Sequence, residues 1–107
     1  MGVQKMSAEL KTWCAPSENH QLDHTSEAAL IATVVRTARA ALALSQDELA
    51  HETGLSRRTI INIEARQSIP SQETVTLLKS YLASRNCVVR YSSSGFIFEL
   101  RNFCFSS

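Results

Sequence analysis

From residue 31 onward the apolar positions recur at helical spacing. Ile31, Val34, Val35, Ala38, Ala41 and Leu42 predict a helix running to about Leu42. Thr25 is its candidate N-cap, and Glu27 suits the positive end of a first turn. A shorter helix follows, opened by the capping box of Ser45 with Glu48, and it turns Leu49, Ala50 and Thr53 inward. Gly54 ends it where the backbone needs a left-handed conformation. Ser56 caps a third helix that buries Ile60 and Ile63 and frays near Arg66. "QSIPS" is a loop, because Pro70 disfavours helix at Ile69. Ser71 caps a fourth helix, with Val75, Leu78, Tyr81 and Leu82 on its apolar face.

The period then changes from helical to alternating. "CVVRY SSSG FIFEL" predicts a β-hairpin with its turn at residues 92–95. Pairing Tyr91 with Phe96 places Cys87, Val89, Tyr91, Phe96, Phe98 and Leu100 on one face, with Arg90 and Glu99 as diagonal neighbours on the other. An isolated hairpin is marginal, so something must cover that apolar face. One expectation is a dimer interface, with Phe103 and Phe105 contributing. The other is that the hairpin folds back over the first or fourth helix of its own chain. Residues 1–24 lack sustained periodicity and read as a flexible N-terminal arm anchored only by Trp13. The chain thus divides into an arm at 1–24, a helical domain at 25–84, and a hairpin with its tail at 85–107.

Size and composition narrow the classes. The 107 residues suit one domain, and 44% hydrophobic with 20% charged residues suits a soluble globular protein. No apolar run approaches the roughly 18 residues of a membrane span, and the N-terminus lacks the apolar core of a signal peptide. A cytoplasmic protein with no membrane contact is expected. The three cysteines, Cys14, Cys87 and Cys104, are odd in number and far apart, which argues against a disulfide framework. Cys14, His20 and His24 have a permissible ligand spacing but lack a fourth ligand, so no metal and no cofactor is expected. Net charge is +1, yet its distribution is uneven: after Gly54, seven basic residues face three acidic ones. No Ser-His-Asp or Cys-His constellation and no glycine-rich phosphate loop stands out, so the chain does not read as an enzyme.

Helix, glycine-centred turn, helix is a recognisable arrangement in "LSQDELAHETGLSRRTIINIE", residues 44–64. Ala50 is small where the two helices cross, and Leu55, Ile60 and Ile63 lock the second against the first. At about 100° per residue from Ser56, Ile60 and Ile63 face inward at about 40° and 340°. Arg57, Ile61, Ala65, Arg58 and Asn62 occupy the opposite arc, from about 100° to 240°. Arginine pairs bidentately with guanine, asparagine with adenine, and an apolar side chain meets a thymine methyl. The outer face of the preceding helix, Asp47, Glu48, His51 and Glu52, is acidic and should point away from phosphates.

This stretch resembles the phage repressor/Cro class of helix-turn-helix regulators, the xenobiotic-response-element family, over about residues 28–84. The resemblance implies a mainly α, lambda-repressor-like bundle of about four helices, here followed by a C-terminal β-hairpin where relatives continue with another helix. It also implies roles. Gln46 matches a glutamine that bonds a DNA phosphate. Thr59 and the loop Arg66, Gln67, Ser68 fall where further phosphate contacts are made. Ser56, Arg57, Arg58, Ile61 and Asn62 fall where base edges are met. Arg39 and Glu64 match a pair that joins the first helix to the end of the recognition helix. The implied function is a sequence-specific repressor binding a palindromic operator in double-stranded DNA as a homodimer. Two alternatives share the fold: an antitoxin that also holds a partner toxin through the polar arm, and an interaction module that does not bind DNA.

Overall fold

The computed structural model describes residues 10–16 and 27–101. Four helices follow one another: α1 (Ala28–Leu42), α2 (Gln46–Thr53), α3 (Arg57–Glu64) and α4 (Gln72–Ser84). Three strands, β1 (Lys11–Cys14), β2 (Cys87–Ser92) and β3 (Gly95–Leu100), form one antiparallel sheet in the order β1-β2-β3. The fold is mainly α, with a C-terminal hairpin, as the periodicity predicts.

Local chemistry sets each helix boundary. The Ser45 hydroxyl accepts from Glu48 N–H at 3.0 Å and the Glu48 carboxylate accepts from Ser45 N–H at 2.8 Å, so the capping box is closed both ways. Ser56 accepts from Thr59 N–H at 3.0 Å, and Ser71 from Thr74 N–H at 3.1 Å. Each such cap contributes about 1 kcal/mol. Gly54 has φ 84°, the left-handed backbone its position was expected to need. At α1 the expectation needs correcting. Thr25 lies outside the described residues, and Glu27 stands at the N-cap rather than in the first turn, with no side-chain capping bond. Ala41 is exposed, since α1 buries only the arc of Ile31, Val34, Val35 and Ala38.

The core lies between the helices and one face of the sheet. Trp13, Ile31, Leu49, Ile60, Leu78 and Leu82 are fully buried in it. Complete burial of such a side chain contributes on the order of 2 kcal/mol. The hairpin has the expected register, with Tyr91 opposite Phe96 and Ser93-Ser94 as the turn. Its apolar face is covered by the chain's own helices, with Tyr91, Phe96, Phe98 and Leu100 packed on the core cluster. On the other face Arg90 Nη1 lies 3.9 Å from Glu99 Oε1.

The flexible-arm reading fails for residues 11–14. Lys11 pairs with Tyr91, Thr12 with Arg90 and Cys14 with Val89, so β1 closes the free edge of β2. Trp13 is buried as an anchor, but Thr12, Cys14 and Ala15 are buried with it. The physical reason is that Cys87, Val88 and Val89 are buried on both faces and need a neighbour on each side. The hairpin of the sequence reading is therefore two-thirds of a sheet. His20, His24, Phe103, Cys104 and Phe105 lie outside the described residues.

Candidate nucleic-acid interface

The α1–α2 connection sets the first angle. α1 ends at Ala43, which takes φ 57°, while Leu44 N–H bonds back to Arg39 O at 2.9 Å. That tight end bends α2 away from α1 by 100°. Gly54 then ends α2: Gly54 N–H and Leu55 N–H both donate to Ala50 O, at 2.9 and 3.1 Å. A Cβ at Gly54 would meet nothing, so it is the positive φ and not crowding that selects glycine there. Thr53 reinforces the turn, donating its hydroxyl to Leu49 O at 2.8 Å and accepting from Leu55 N–H at 3.3 Å. With Ile60 and Ile63 buried, α3 has a fixed roll, and its opposite side faces out.

Glu64, at the last turn of α3, holds the three helices together. Its carboxylate accepts from Arg39 Nε at 2.7 Å and Nη2 at 3.1 Å, a bidentate pair. Gln46 Nε2 donates to the same carboxylate at 3.1 Å. Arg36 Nη2 donates to the Glu64 carbonyl at 2.9 Å, and Arg39 Nη1 reaches Leu44 O at 3.1 Å. α1, α2 and α3 are thus tied at one point. Burial pushes the Glu64 carboxyl up, but the hydrogen bonds from Arg39 and Gln46 and the charges of Arg39 and Arg36 outweigh it. The group is held below the usual carboxylate range. The Arg39 guanidinium is raised in turn, chiefly by its hydrogen bond to Glu64.

The outward side of α3 carries Arg57 and Arg58, both exposed, with Ile61 and Asn62 partly buried beside them. Arg57 Nε sits 3.0 Å from Asp47 Oδ1 of α2, with both side chains mostly in solvent. Arg58 has no ion pair among the described residues. The Ser56 hydroxyl is engaged as the α3 cap and lies 2.8 Å from the Thr59 hydroxyl, so these two share one local network. After α3, Arg66 takes φ 56°, Arg66 N–H bonds Ile63 O at 3.0 Å and Gln67 N–H bonds Asn62 O at 2.9 Å. This is a Schellman ending, and it leaves Arg66, Gln67 and Ser68 exposed at the C-terminal end of α3. Gln46 stands beside the C-terminal end of α3 through its bond to Glu64, with its side chain half-buried.

A family model described as helix-turn-helix matches residues 35–83, from within α1 to the last turn of α4. The chain carries a Cro/C1-type helix-turn-helix domain. It is a DNA-binding regulator of that family, and the domain's two motif helices are α2 and α3. Searches of curated proteins and of solved structures returned no match. The three-stranded sheet lies outside the helix-turn-helix match, except where its strands rest on the matched helices. No single described helix is long and apolar enough to cross a membrane.

Several participants in the helix-turn-helix were not visible in the sequence. Arg36 lies one turn before Arg39, a spacing that puts both on one side of α1, yet nothing local says they reach α3. The Asp47–Arg57 pair and the Gln46–Glu64 bond depend on the angle between helices. On the far side of α2, Tyr81 Oη donates to Glu52 Oε1 at 3.0 Å and accepts from Arg85 Nη1 at 2.8 Å, so Glu52 serves the contact with α4.

Proposed function

We propose that the protein is a sequence-specific transcriptional repressor that binds a palindromic operator as a homodimer, with α3 in the major groove. The observation that carries this reading is the fixed roll of α3. Ile60 and Ile63 are buried, Glu64 is clamped by α1 and α2, and Arg57 and Arg58 are left facing solvent on the opposite side. Rigid presentation of two guanidinium groups suits bidentate pairing with guanine edges. Ile61 and Asn62 complete the reading surface, with Ser56 at its start. Gln46, Thr59 and the exposed loop Arg66, Gln67, Ser68 bind phosphates and fix the register of the helix on the duplex. Arg39 and Glu64 position the helix without touching the bases.

A domain of this size reads only a few base pairs, so specificity calls for two copies on half-sites about one helical turn apart. Occupancy of an operator that overlaps a promoter then represses it.

The test begins with a binding selection from random duplex DNA at a stated salt concentration, which supplies the operator. The Arg57→Ala, Arg58→Ala double variant should then lose at least about 30-fold in operator affinity, since each bidentate contact contributes about 1–3 kcal/mol. Gln46→Ala should weaken operator and random duplex alike. Unchanged site preference in the double arginine variant rejects the assignment.

A further inference from the structure

The two edges of the sheet are built differently. β1 is four residues long, carries the exposed Lys11 and is bulged between Thr12 and Cys14. Short length, lysine and a bulge are the devices that stop an edge strand from pairing further. β3 has none of them. It is six residues long, GFIFEL, in unbroken register with β2, with no proline and no lysine. Its single charge is Glu99, held by Arg101 at 3.4 Å and Arg90 at 3.9 Å.

The hydrogen-bond phase of β3 follows from one contact. Arg101 N–H donates to Asn86 O at 2.8 Å. Antiparallel pairs alternate between bonded and non-bonded, so Gly95, Ile97 and Glu99 bond inward to β2. Phe96, Phe98 and Leu100 therefore direct their N–H and C=O groups to the outer edge, where no backbone partner is found among the described residues. The same three side chains are only partly buried on the core. Both the backbone and the apolar surface of β3 are left incomplete along one line.

We propose that β3 pairs antiparallel with β3 of a second copy, joining the two sheets into one continuous six-stranded sheet. This rests on the homodimer reading above and specifies how the dimer is made. Twofold pairing must oppose residues of the same face, and the register centred on Phe98 engages all three outward residues. Phe98 then faces Phe98 of the second copy, and each Phe96 faces Leu100, in three pairs that each exchange two hydrogen bonds. On the outer face each Glu99 comes opposite Ile97 of the second copy, so no like charges meet. Ile97, 47% exposed, gains a cross-strand neighbour.

The register is testable through Ile97, whose exposed side chain can change without disturbing the core. Sedimentation of the full chain should show a dimer. Ile97→Glu, which sets two carboxylates against each Glu99 contact, should weaken association at least tenfold. Ile97→Lys, which sets an ammonium there instead, should associate as well as the parent. Amide hydrogen exchange read by NMR across a concentration series should show Phe96, Phe98 and Leu100 gaining protection with dimer formation, while Gly95, Ile97 and Glu99 stay unchanged. If the parent and the Ile97→Glu variant are equally dimeric and both bind the operator two to one, the strand pairing is wrong and the homodimer reading stands. If the parent is monomeric at every concentration and binds the operator one to one, the homodimer reading fails with it.

Discussion

Two places in the molecule tie distant parts of the chain together, and they do so with opposite chemistry. At Glu64 a carboxylate gathers two guanidinium groups and a carboxamide from α1 and α2, and every bond is directional. At Trp13 and Cys14 the strand β1 is held against β2 and α4 by packing. Trp13 is fully enclosed with Lys79 Nζ 5.1 Å from its ring centroid, and the Cys14 thiol meets only the carbonyls of Lys79 and Cys87 at 3.6 and 3.8 Å. The polar knot sets angles, since it fixes where α3 points. The apolar knot sets stability, since it fills volume at the junction of sheet and helices. Sensitivity to shape and sensitivity to charge should therefore separate in experiment.

The largest expected effect is at the apolar knot. Trp13→Ala should destabilise the fold by about 4 kcal/mol, because truncation of a buried tryptophan leaves a cavity that rigid strands cannot close. Urea denaturation followed by far-UV circular dichroism measures it. A loss under about 1 kcal/mol would mean that β1 is a loose attachment and not part of the core.

Next comes the polar knot. Glu64→Ala should cost about 3 kcal/mol, since it strands the Arg39 guanidinium, three-quarters buried, without its carboxylate. Glu64→Gln keeps an acceptor and should cost less. The two variants sharpen the comparison because they should also alter DNA binding, whereas Trp13→Ala at a temperature where it is still folded should leave site preference unchanged.

How much of each knot could be read beforehand differs for a physical reason. Capping boxes, the Gly54 turn and the Tyr91–Phe96 register are local, encoded within a few residues, and were all legible. The outward arc of α3 was legible too, because Ile60 and Ile63 fix its roll. β1 was not: four residues broken by a bulge show no alternation, and its partner lies more than seventy residues away. Two helix ends were equally silent, since Ala43 and Arg66 take φ 57° and 56° with no glycine to announce them. At the site, Arg39 with Glu64 came from family resemblance, whereas Arg36 and the Gln46–Glu64 bond required the actual crossing of three helices.

Acid and alkali should separate the knots in a third way. The Glu64 carboxyl is depressed in the fold, so its contribution is present above the unfolded value of about 4.3 and is lost as pH falls below it. The Cys14 thiol runs the other way. Burial first, then the neighbouring Cys87, pushes it up to about 12 against the pull of Lys79. Its contribution is complete below the unfolded thiol value of about 8.5 and is lost as pH rises from there toward about 12. Each group adds at most about 1.4 kcal/mol per pH unit to its limb of the stability curve. Glu64→Gln should flatten the acid limb alone and Cys14→Ala the alkaline limb alone. Variants that flatten both limbs or neither would show that these two groups do not set them.

The smallest effect belongs to an ion pair that resembles the Arg39–Glu64 pair in length but not in setting. Arg57 and Asp47 approach to 3.0 Å with 62% and 72% of their side chains exposed, against 25% and 8% for Arg39 and Glu64. Water and salt screen such a pair, and holding two mobile side chains together offsets much of the attraction. A double-mutant cycle on stability with Asp47→Asn and Arg57→Ala should give a coupling under about 0.5 kcal/mol, falling further with added salt. The same cycle on Arg39 and Glu64 should give well over 1 kcal/mol, with little dependence on salt. A small first coupling means that Arg57 can leave Asp47 for a base edge at little cost, which a reading residue requires. A coupling above about 1 kcal/mol would instead make Asp47 and Arg57 a second structural clasp between α2 and α3, and would take Arg57 out of the set of base readers.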